Sequence, residues 1–402
     1  MPIHIKLAKE VGEIDDALWI RHEVFVVEDR KFGGKPLPES RLVDRFDAFP
    51  DTHHMLAYDG AEPVATMRLL KCGEMGMPVD ELFDFSSFRA QVLAATNPAG
   101  EHSEATALPA EFGSAGMFAI RAKWRRRRDV VRAMFRMVAT AFHRFGVTHI
   151  LAAVNHETAG MYRRIGFVQL SEKVWSEDVG DYVIPLMGTT ENLLAWAFGK
   201  HRERAPSAFQ DSFERMVLRA GETVFVEGDV GERAYVVDSG EVRIFRQRPS
   251  GEELTLAQLR PGELFGEIAL IDDKPRSASA IAVSDTELMT LDREGFQRHL
   301  RENPDHGQQL FRLFSSRMRS ISELAMVLAF APAAQRLEFA LELARGQASR
   351  DPAEPDRSVF RGGPSQLARL AAVDEKMAVG FLEQAAARST LEFSRKKIVF
   401  IE

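Results

Sequence analysis

The chain has 402 residues, 45% of them hydrophobic and 28% charged, with 52 Lys and Arg against 59 Asp and Glu for a net charge of −7. At roughly 100–200 residues per domain this length spans two to four domains, and the composition excludes a disordered chain. The acidic balance excludes a global pull toward nucleic acid or anionic lipid, and a single cysteine, Cys72, excludes a disulfide framework and any multi-cysteine metal site, so no metal is expected. The N-terminal stretch MPIHIKLAKEVGEID has no apolar run. The longest apolar stretch, Leu324–Pro332, falls far short of the roughly 18 residues of a membrane span. A cytoplasmic, multidomain protein without a membrane span is the expectation.

Residues 1 to about 190 read as mixed α/β. Strand-like runs at His54–Tyr58, Pro63–Leu69, Gly116–Ile120 and His149–Val154 alternate with helical patterns. The clearest helix covers Arg127–Phe145, with Val131, Met134, Phe135, Val138, Phe142 and Phe145 on one face. Small and polar residues at Asn97–Ala107 predict a loop, and residues 196–212 a linker. From Phe213 short alternating runs punctuated by glycines predict a β jelly roll. A long helix follows at 304–330, whose apolar positions Leu310, Phe314, Met318, Ile321, Ala325 and Leu328 form a seam fit for pairing with a second copy or for packing on the chain's own barrel. Pairing, hence a homodimer, is the preferred expectation. Residues 331–402 predict helices at Ala334–Arg345, Ser365–Ala372 and Glu375–Ala387, and a strand pair at Leu391–Phe393 and Ile398–Ile401.

The most specific string is FGEIALIDDKPRSASA, residues 265–280. Gly266 permits close backbone approach, and Glu267–Leu270 can form a helical turn whose free N–H groups favour an anion. Arg276 can fork onto two phosphate oxygens, Ser277 adds a hydroxyl donor, and Glu267 can accept from sugar hydroxyls. The set suits a ribose with one negative charge. It resembles the phosphate-binding cassette of cyclic-nucleotide-binding domains. The resemblance implies a ligand such as cyclic AMP held by Gly266, Glu267, Ile268, Ala269, Arg276 and Ser277. Ser322 on the long helix falls where catabolite-activator-type regulators place a base contact, with Ile321 replacing a hydroxyl residue before it.

Residues 150–167, ILAAVNHETAGMYRRIGF, resemble the last motif of the GNAT acyltransferase superfamily. That places Tyr162 as general acid for the leaving thiolate, or as a plain helix anchor. Upstream, Arg125, Arg126, Arg127 and Arg128 open the long helix at the place of the pyrophosphate-cradling turn, but Arg128 and Val130 stand where its glycines belong. Arg21, Val24-Phe25, Glu28, Asp44, Asp47 and Arg68 form an array that resembles the GNAT branch of acyl-homoserine-lactone synthases and N-acyl amino acid synthases. Its donor is typically an acyl carrier protein, whose phosphopantetheine arm carries no pyrophosphate to cradle. The resemblance implies docking of an acidic carrier on Arg121, Lys123 and Arg125–Arg128, donor contacts at Phe118, Ile120 and Asn155, and acceptor and catalytic roles for Arg21, Asp44, Asp47 and Arg68. An internal ion-pair network is the other reading of those four. Gly116-Met117 stands where the family has Ser-Arg, and Glu111 is the nearby acidic candidate.

SQLARLAAVDEKMAVGFLEQ, residues 365–384, resembles the helix-turn-helix of catabolite-activator-type regulators, with a wing after it. Its reading helix opens on Asp374-Glu375, and residues 331–402 hold 11 Lys and Arg against 10 Asp and Glu. DNA binding demands clustered cations, so a docking or dimer module is preferred to a DNA reader. The expected fold is therefore a GNAT-like α/β acyltransferase domain (1–195), a linker (196–212), a jelly-roll cyclic-nucleotide-binding domain with its dimer helix (213–330) and a winged-helix-like α+β segment (331–402). The expected function is cyclic-nucleotide-regulated N-acyl transfer from an acyl carrier protein or coenzyme A thioester to an amine such as an amino acid. A cyclic-AMP-responsive transcription regulator and a cyclic-AMP-regulated protein-lysine acetyltransferase are the alternatives.

Overall fold

The computed structural model describes residues 1–33, 40–96, 110–198, 214–247, 251, 253–302, 304–346, 348–350, 354, 356–360 and 362–401. They fall into two compact units: Met1–Val242 with Arg260–Ser277 and Ile281–Phe296, and Arg243–Leu259 with Ala278–Ala280 and Gln297–Glu402.

Before residue 190 the strands are β1 (Ile3–Leu7), β2 (Thr52–Asp59), β3 (Glu62–Lys71), β4 (Phe112–Ile120), β5 (His149–Asn155), β6 (Val168–Gln169), β7 (Val174–Ser176) and β8 (Asp181–Thr189). Residues 214–292 add β9 (Glu214–Leu218), β10 (Thr223–Phe225), β11 (Arg233–Ser239), β12 (Val242–Gln247), β13 (Glu253–Leu259), β14 (Leu264–Phe265), β15 (Ser279–Ala282) and β16 (Thr286–Asp292). One twelve-stranded sheet runs through the first unit in the order β14-β11-β16-β9-β1-β2-β3-β4-β5-β8-β6, with β7 on β8. All four strand runs expected in the first 160 residues lie inside β2 to β5.

Helix α1 (Val11–Arg21) continues into a π-helical turn at His22–Glu28; α2 (Ser86–Thr96) and α3 (Arg128–Arg144) follow. The spacing of Val130, Met134, Phe135, Val138 and Phe142 puts them on one side of α3, where all are buried. Each such side chain contributes about 1.5–3 kcal/mol on burial. Asp129 in the first turn and His143 and Arg144 in the last complement the helix dipole. Helices α4 (Ala159–Arg164) and α5 (Thr190–Phe198) complete this region.

Two expectations differ from the structure. Helix α5 takes up the first three residues of the expected linker at 196–212, and the remainder lies outside the described residues, as does the loop expected at Asn97–Ala107. Second, the compact units do not follow the expected boundaries. Strand β1 pairs antiparallel with β2 on one edge (Ile5↔Ala57) and with β9 on the other (Ile3↔Val217). An apolar strand leaves unpaired N–H and C=O groups at an open edge, and β9 satisfies them. The sheet of the N-terminal region therefore continues without a break into strands of the glycine-punctuated region.

The second unit contains the β12–β13 pair, α8 (Pro304–Phe330), α9 (Ala333–Gly346), α10 (Pro364–Ala371), α11 (Glu375–Ala387) and a four-stranded sheet of Ser349–Arg350, Arg357–Phe360, Ile398–Ile401 and Leu391–Phe393. Leu337, Leu341, Phe360, Leu367, Leu382, Ile398 and Phe400 form its core. The turn between α10 and α11 places Ala372 at φ 49, and Asp374 caps α11 through its bond from the Met377 N–H (2.9 Å). Among the described residues no helix is long and apolar enough to cross a membrane.

Candidate functional site

Parallel pairing of β4 with β5 runs only through Phe112↔His149, Gly113↔Ile150 and Ser114↔Leu151. Beyond Ser114 the strands part, because β4 stays on β3 and β5 on β8. A bulge marks the divergence: the β3–β4 register shifts between Thr66 and Arg68, and Met117 sits at φ 51. A non-glycine residue in this left-handed region costs on the order of 1–3 kcal/mol and persists only where its surroundings hold it.

The gap opens into a cavity of about 860 Å³. Its walls include Phe25, Leu42, Val79, Leu82, Met117, Phe118, Ile120, Val131, Val154 and Tyr162, with Asp44, Arg68, Arg125 and Asn155 among several polar and charged members. Tyr162 is buried between the rings of Phe135 (5.3 Å) and Phe167 (5.4 Å). Burial pushes its phenol well above the ordinary value, so at neutral pH it keeps its proton and can donate it.

The sequence-predicted Arg21, Asp44, Asp47 and Arg68 are brought together. Arg21, on the last turn of α1, is wholly buried and donates to Asp47 Oδ1 at 2.7 Å. Arg68, on β3, donates to the same oxygen (2.8 Å) and to both oxygens of Asp44 (2.6 and 2.8 Å). Asp44 caps a short 3-10 turn (Arg45–Ala48) and Asp47 returns a bond to the Asp44 N–H, so one turn presents both carboxylates. Burial pushes the Asp47 carboxyl up, and the two guanidinium groups outweigh it and hold it below its ordinary value. Asp44 and Arg68 reach the cavity wall, while Arg21 and Asp47 are not among its lining. The four residues thus form one ion-pair cluster in two layers, Asp44 and Arg68 at the cavity wall and Arg21 and Asp47 behind them.

His54 was not legible in the sequence. It lies on β2, buried, with Nδ1 2.9 Å from Arg21 Nη2. Burial and the Arg21 charge lower its pKa to about 4, so it stays neutral and accepts from Arg21. The only sequence signal was an inward strand position; its partner sits 33 residues away. In the unfolded chain this group titrates near the ordinary imidazole value of 6.5. Between these two values the unfolded state binds a proton that the folded state refuses. The stabilisation is full above pH 6.5 and lost as pH falls through about 4. About 2.5 pKa units at 1.36 kcal/mol each gives about 3 kcal/mol. Denaturant unfolding across this pH range is expected to show that decline, and His54→Gln, which keeps an acceptor for Arg21, to flatten it. An equally steep decline in the variant would exclude His54 as the source.

Glu111 is a correction. It precedes β4 where β4 and β5 are still paired, forms an ion pair with Lys71 (3.5 Å), and is not among the cavity-lining residues. The arginine run also divides. Arg125 lines the cavity and is held by Glu28 (2.7 Å) and Asp29 (2.9 Å), and Arg127 is paired with Asp129 (2.7 Å). Arg126, Arg128 and Lys123 are exposed outside the cavity. Phe118, Ile120 and Asn155 line the cavity, and Asn155 donates to Asp181 (2.5 Å). Cys72 is half-buried, and burial raises its thiol pKa. Among the described residues no group of three or more His, Cys, Asp or Glu is placed to hold a metal.

The second site lies in the same unit. Gly266 has φ 74, and a Cβ there would stand 2.9 Å from Arg276 Nη1 and 3.0 Å from the Tyr235 ring, so only glycine fits. Glu267 is buried just before the single turn α6 (Ile268–Ile271); Ala269 is buried and Ile268 exposed. Arg276 is buried, donates to Gly266 O (2.5 Å) and Arg233 O (2.6 Å), and lies over the Phe225 ring at 4.3 Å. Its Nε has no hydrogen-bond partner. Burial lowers its pKa. Ser277 is exposed beside it. Phe225, Asp229, Arg233, Tyr235 and Arg276 line a cavity of about 240 Å³ that His4 of β1 also lines. Ser322 is exposed on α8 in the second unit.

A family model described as N-acyl amino acid synthase FeeM matches residues 16–189, and one described as cyclic nucleotide-binding domain matches residues 215–303. A cyclic AMP receptor protein of Thermus thermophilus is 43% identical over 129 residues, 32% of this chain and 60% of that protein. A CRP-like cAMP-activated global transcriptional regulator of Mycobacterium tuberculosis is 35% identical over 99 residues, 25% of this chain and 44% of that one. A cAMP-dependent protein kinase regulatory subunit of Aspergillus niger is 41% identical over 101 residues, 25% of this chain and 23% of that one. The chain spans 60% or less of the length of these relatives. A region similar to an N-acyl amino acid synthase and one similar to cyclic-nucleotide-binding domains therefore stand on one chain, with the β4–β5 cavity in the first and the Gly266–Arg276 segment in the second.

Proposed function

We propose that the chain is an N-acyltransferase of GNAT type that moves a long-chain acyl group from an acyl-carrier-protein or coenzyme A thioester to an amine such as an amino acid, under control of a cyclic nucleotide. The observation that carries this reading is the cavity between β4 and β5, with a protonated buried phenol, Tyr162, and an Arg68–Asp44 ion pair both on its wall. Its volume of about 860 Å³ and largely apolar lining suit an acyl chain. The ion pair presents one charge of each sign to a zwitterionic acceptor.

In the reaction the neutral amine attacks the thioester carbon; the C–N bond forms, the nitrogen gives its extra proton to water, and the C–S bond breaks. The thiolate leaves with the Tyr162 proton, and the proton released by the nitrogen returns to the phenolate through water. The Asp44–Arg68 pair orients the acceptor, and Asp47, Arg21 and His54 hold that pair from behind. A carrier's phosphopantetheine arm would enter beside Arg125 and Asn155, and its acidic body would dock on the exposed Lys123, Arg126 and Arg128. A cyclic phosphate would meet Arg276, the α6 turn and Ser277. Helix α8 would pair two copies, with Phe311, Met318 and Met326 exposed along it. The region from 331 onward, three helices with a small sheet, would serve as a winged-helix-like docking module. The match of residues 16–189 to a synthase model favours this reading over a transcription regulator or a protein-lysine acetyltransferase.

The test is mass spectrometry of lipid extracts from cells expressing the intact chain. A new N-acyl amine species is expected, falling by about a hundredfold in Tyr162→Phe, the low end of a general-acid contribution. No new species with the wild-type chain would overturn the reading.

A further inference from the structure

The proposed regulation needs a physical connection between the two sites, and the first unit contains one at the β1–β9 seam. Arg136, on α3, donates through Nη1 to Asp238 Oδ2 and Glu287 Oε2, both at 2.9 Å. Arg215, on β9, donates through Nη1 to Asp238 Oδ2 (2.8 Å) and Glu287 Oε1 (2.6 Å). The four side chains are 3–16% exposed, and both guanidinium groups lie within 6 Å of the Phe198 ring centre on α5 (5.9 and 5.7 Å). Two cations and two anions balance without remainder.

Each end of this quartet is one short step from a site. Asp238 shares β11 with Arg233, whose carbonyl holds Arg276, and with Tyr235, whose ring lies under Gly266. Arg136 follows Phe135 on α3, whose ring packs on Tyr162 (5.3 Å) and Phe118 (5.5 Å) at the acyl cavity, and Val131 of α3 lines that cavity. Both acids bridge both arginines, so β11 and β16 cannot shift against α3 without leaving a buried charge unpaired. Such a cluster transmits displacement because it holds one arrangement or breaks.

We infer that the Arg136–Asp238–Glu287–Arg215 quartet is the coupling element by which occupancy of the Gly266–Arg276 site changes affinity at the acyl cavity. This rests on the proposed function and names the route of its regulation. Coupling between two sites is reciprocal: the factor by which one ligand changes the other's dissociation constant is the same in either direction.

The experiment measures that factor in the full-length chain by calorimetry. The probes are 3′,5′-cyclic AMP and the non-hydrolysable S-hexadecyl thioether of pantetheine. In the wild type the factor is expected to be about tenfold, the middle of the usual range. The double variant Arg136→Met, Glu287→Gln removes one charge of each sign and leaves Arg215 paired with Asp238. It is expected to bring the factor within about twofold of unity, while each ligand alone binds within about threefold of the wild type. Where the double variant does not fold, Arg136→Lys, which keeps the charge but loses the planar guanidinium beside the Phe198 ring, is read instead, with at least a halving of the factor expected. Wild-type coupling that survives unchanged in a folded variant overturns the quartet's role and leaves the regulated-enzyme reading standing. A wild-type factor of one overturns both.

Discussion

Replacement of Arg21 by Met is expected to lower the stability of the first unit by about 3–5 kcal/mol and to abolish acyl transfer. Arg21 is wholly buried, and its removal takes a hydrogen bond from Asp47 and another from His54. Asp47 would keep one guanidinium, Arg68, in place of two, where burial already opposes its charge. The Arg68 fork would then be drawn toward Asp47, away from the geometry that presents Asp44 to the cavity. The midpoint of urea unfolding followed by tryptophan fluorescence measures the first effect, and N-acyl product formation the second. The exposed Arg41–Asp15 pair is the internal contrast. Arg41 forks onto both oxygens of Asp15 (2.7 and 2.6 Å), a fuller contact than Arg21 makes with Asp47, but Asp15 is 53% exposed. Exposed pairs contribute about 0–1 kcal/mol, so Arg41→Ala is expected to leave the midpoint nearly unchanged. Equal losses in the two variants would show that burial does not set the difference.

Arg276→Lys is expected to weaken cyclic AMP binding about a hundredfold, equivalent to about 2.7 kcal/mol. The guanidinium spans the Gly266 and Arg233 carbonyls and stacks on Phe225, which a lysine ammonium reproduces in none of its parts. Its buried Nε lacks a hydrogen-bond partner, a cost that an anionic ligand would relieve. Calorimetric titration with cyclic AMP reads the change. An affinity within threefold of the wild type would remove Arg276 from the ligand site. Because Arg276 also ties Gly266 to β11, the same variant is expected to reduce the effect of nucleotide on acyl transfer even at saturating concentration.

Local patterns carried much of this molecule. The alternation of apolar residues located β2 to β5, and the helical spacing of Val131, Met134, Phe135, Val138, Phe142 and Phe145 located α3 to within a residue at each end. The short strands Leu391–Phe393 and Ile398–Ile401 and helix α11 fall where the sequence pattern set them. Gly266 and Arg276 could be singled out because a cradle for a cyclic phosphate needs close backbone approach and a forked cation, and both requirements leave a mark in one short string. Tyr162, Asp44 and Arg68 were singled out by resemblance to a family; their meeting at one cavity is a finding of the fold.

What the sequence by itself determined is therefore the local elements and the residues whose chemistry is carried by a contiguous string. The tertiary structure alone decided which charged groups meet. Glu111 is kept from the cavity because β4 and β5 are still paired beside it. Arg125 is drawn onto Glu28 and Asp29, 97 and 96 residues earlier. His54 receives Arg21 across 33 residues, and Arg136 reaches Glu287 across 151. The physical reason is that helix and strand periodicity is set by backbone geometry within a few residues, whereas the partner of a buried charge is set by strand register and sheet order. Strand β1 could have ended the sheet; its pairing with β9 is what places Arg215, Asp238 and Glu287 beneath α3.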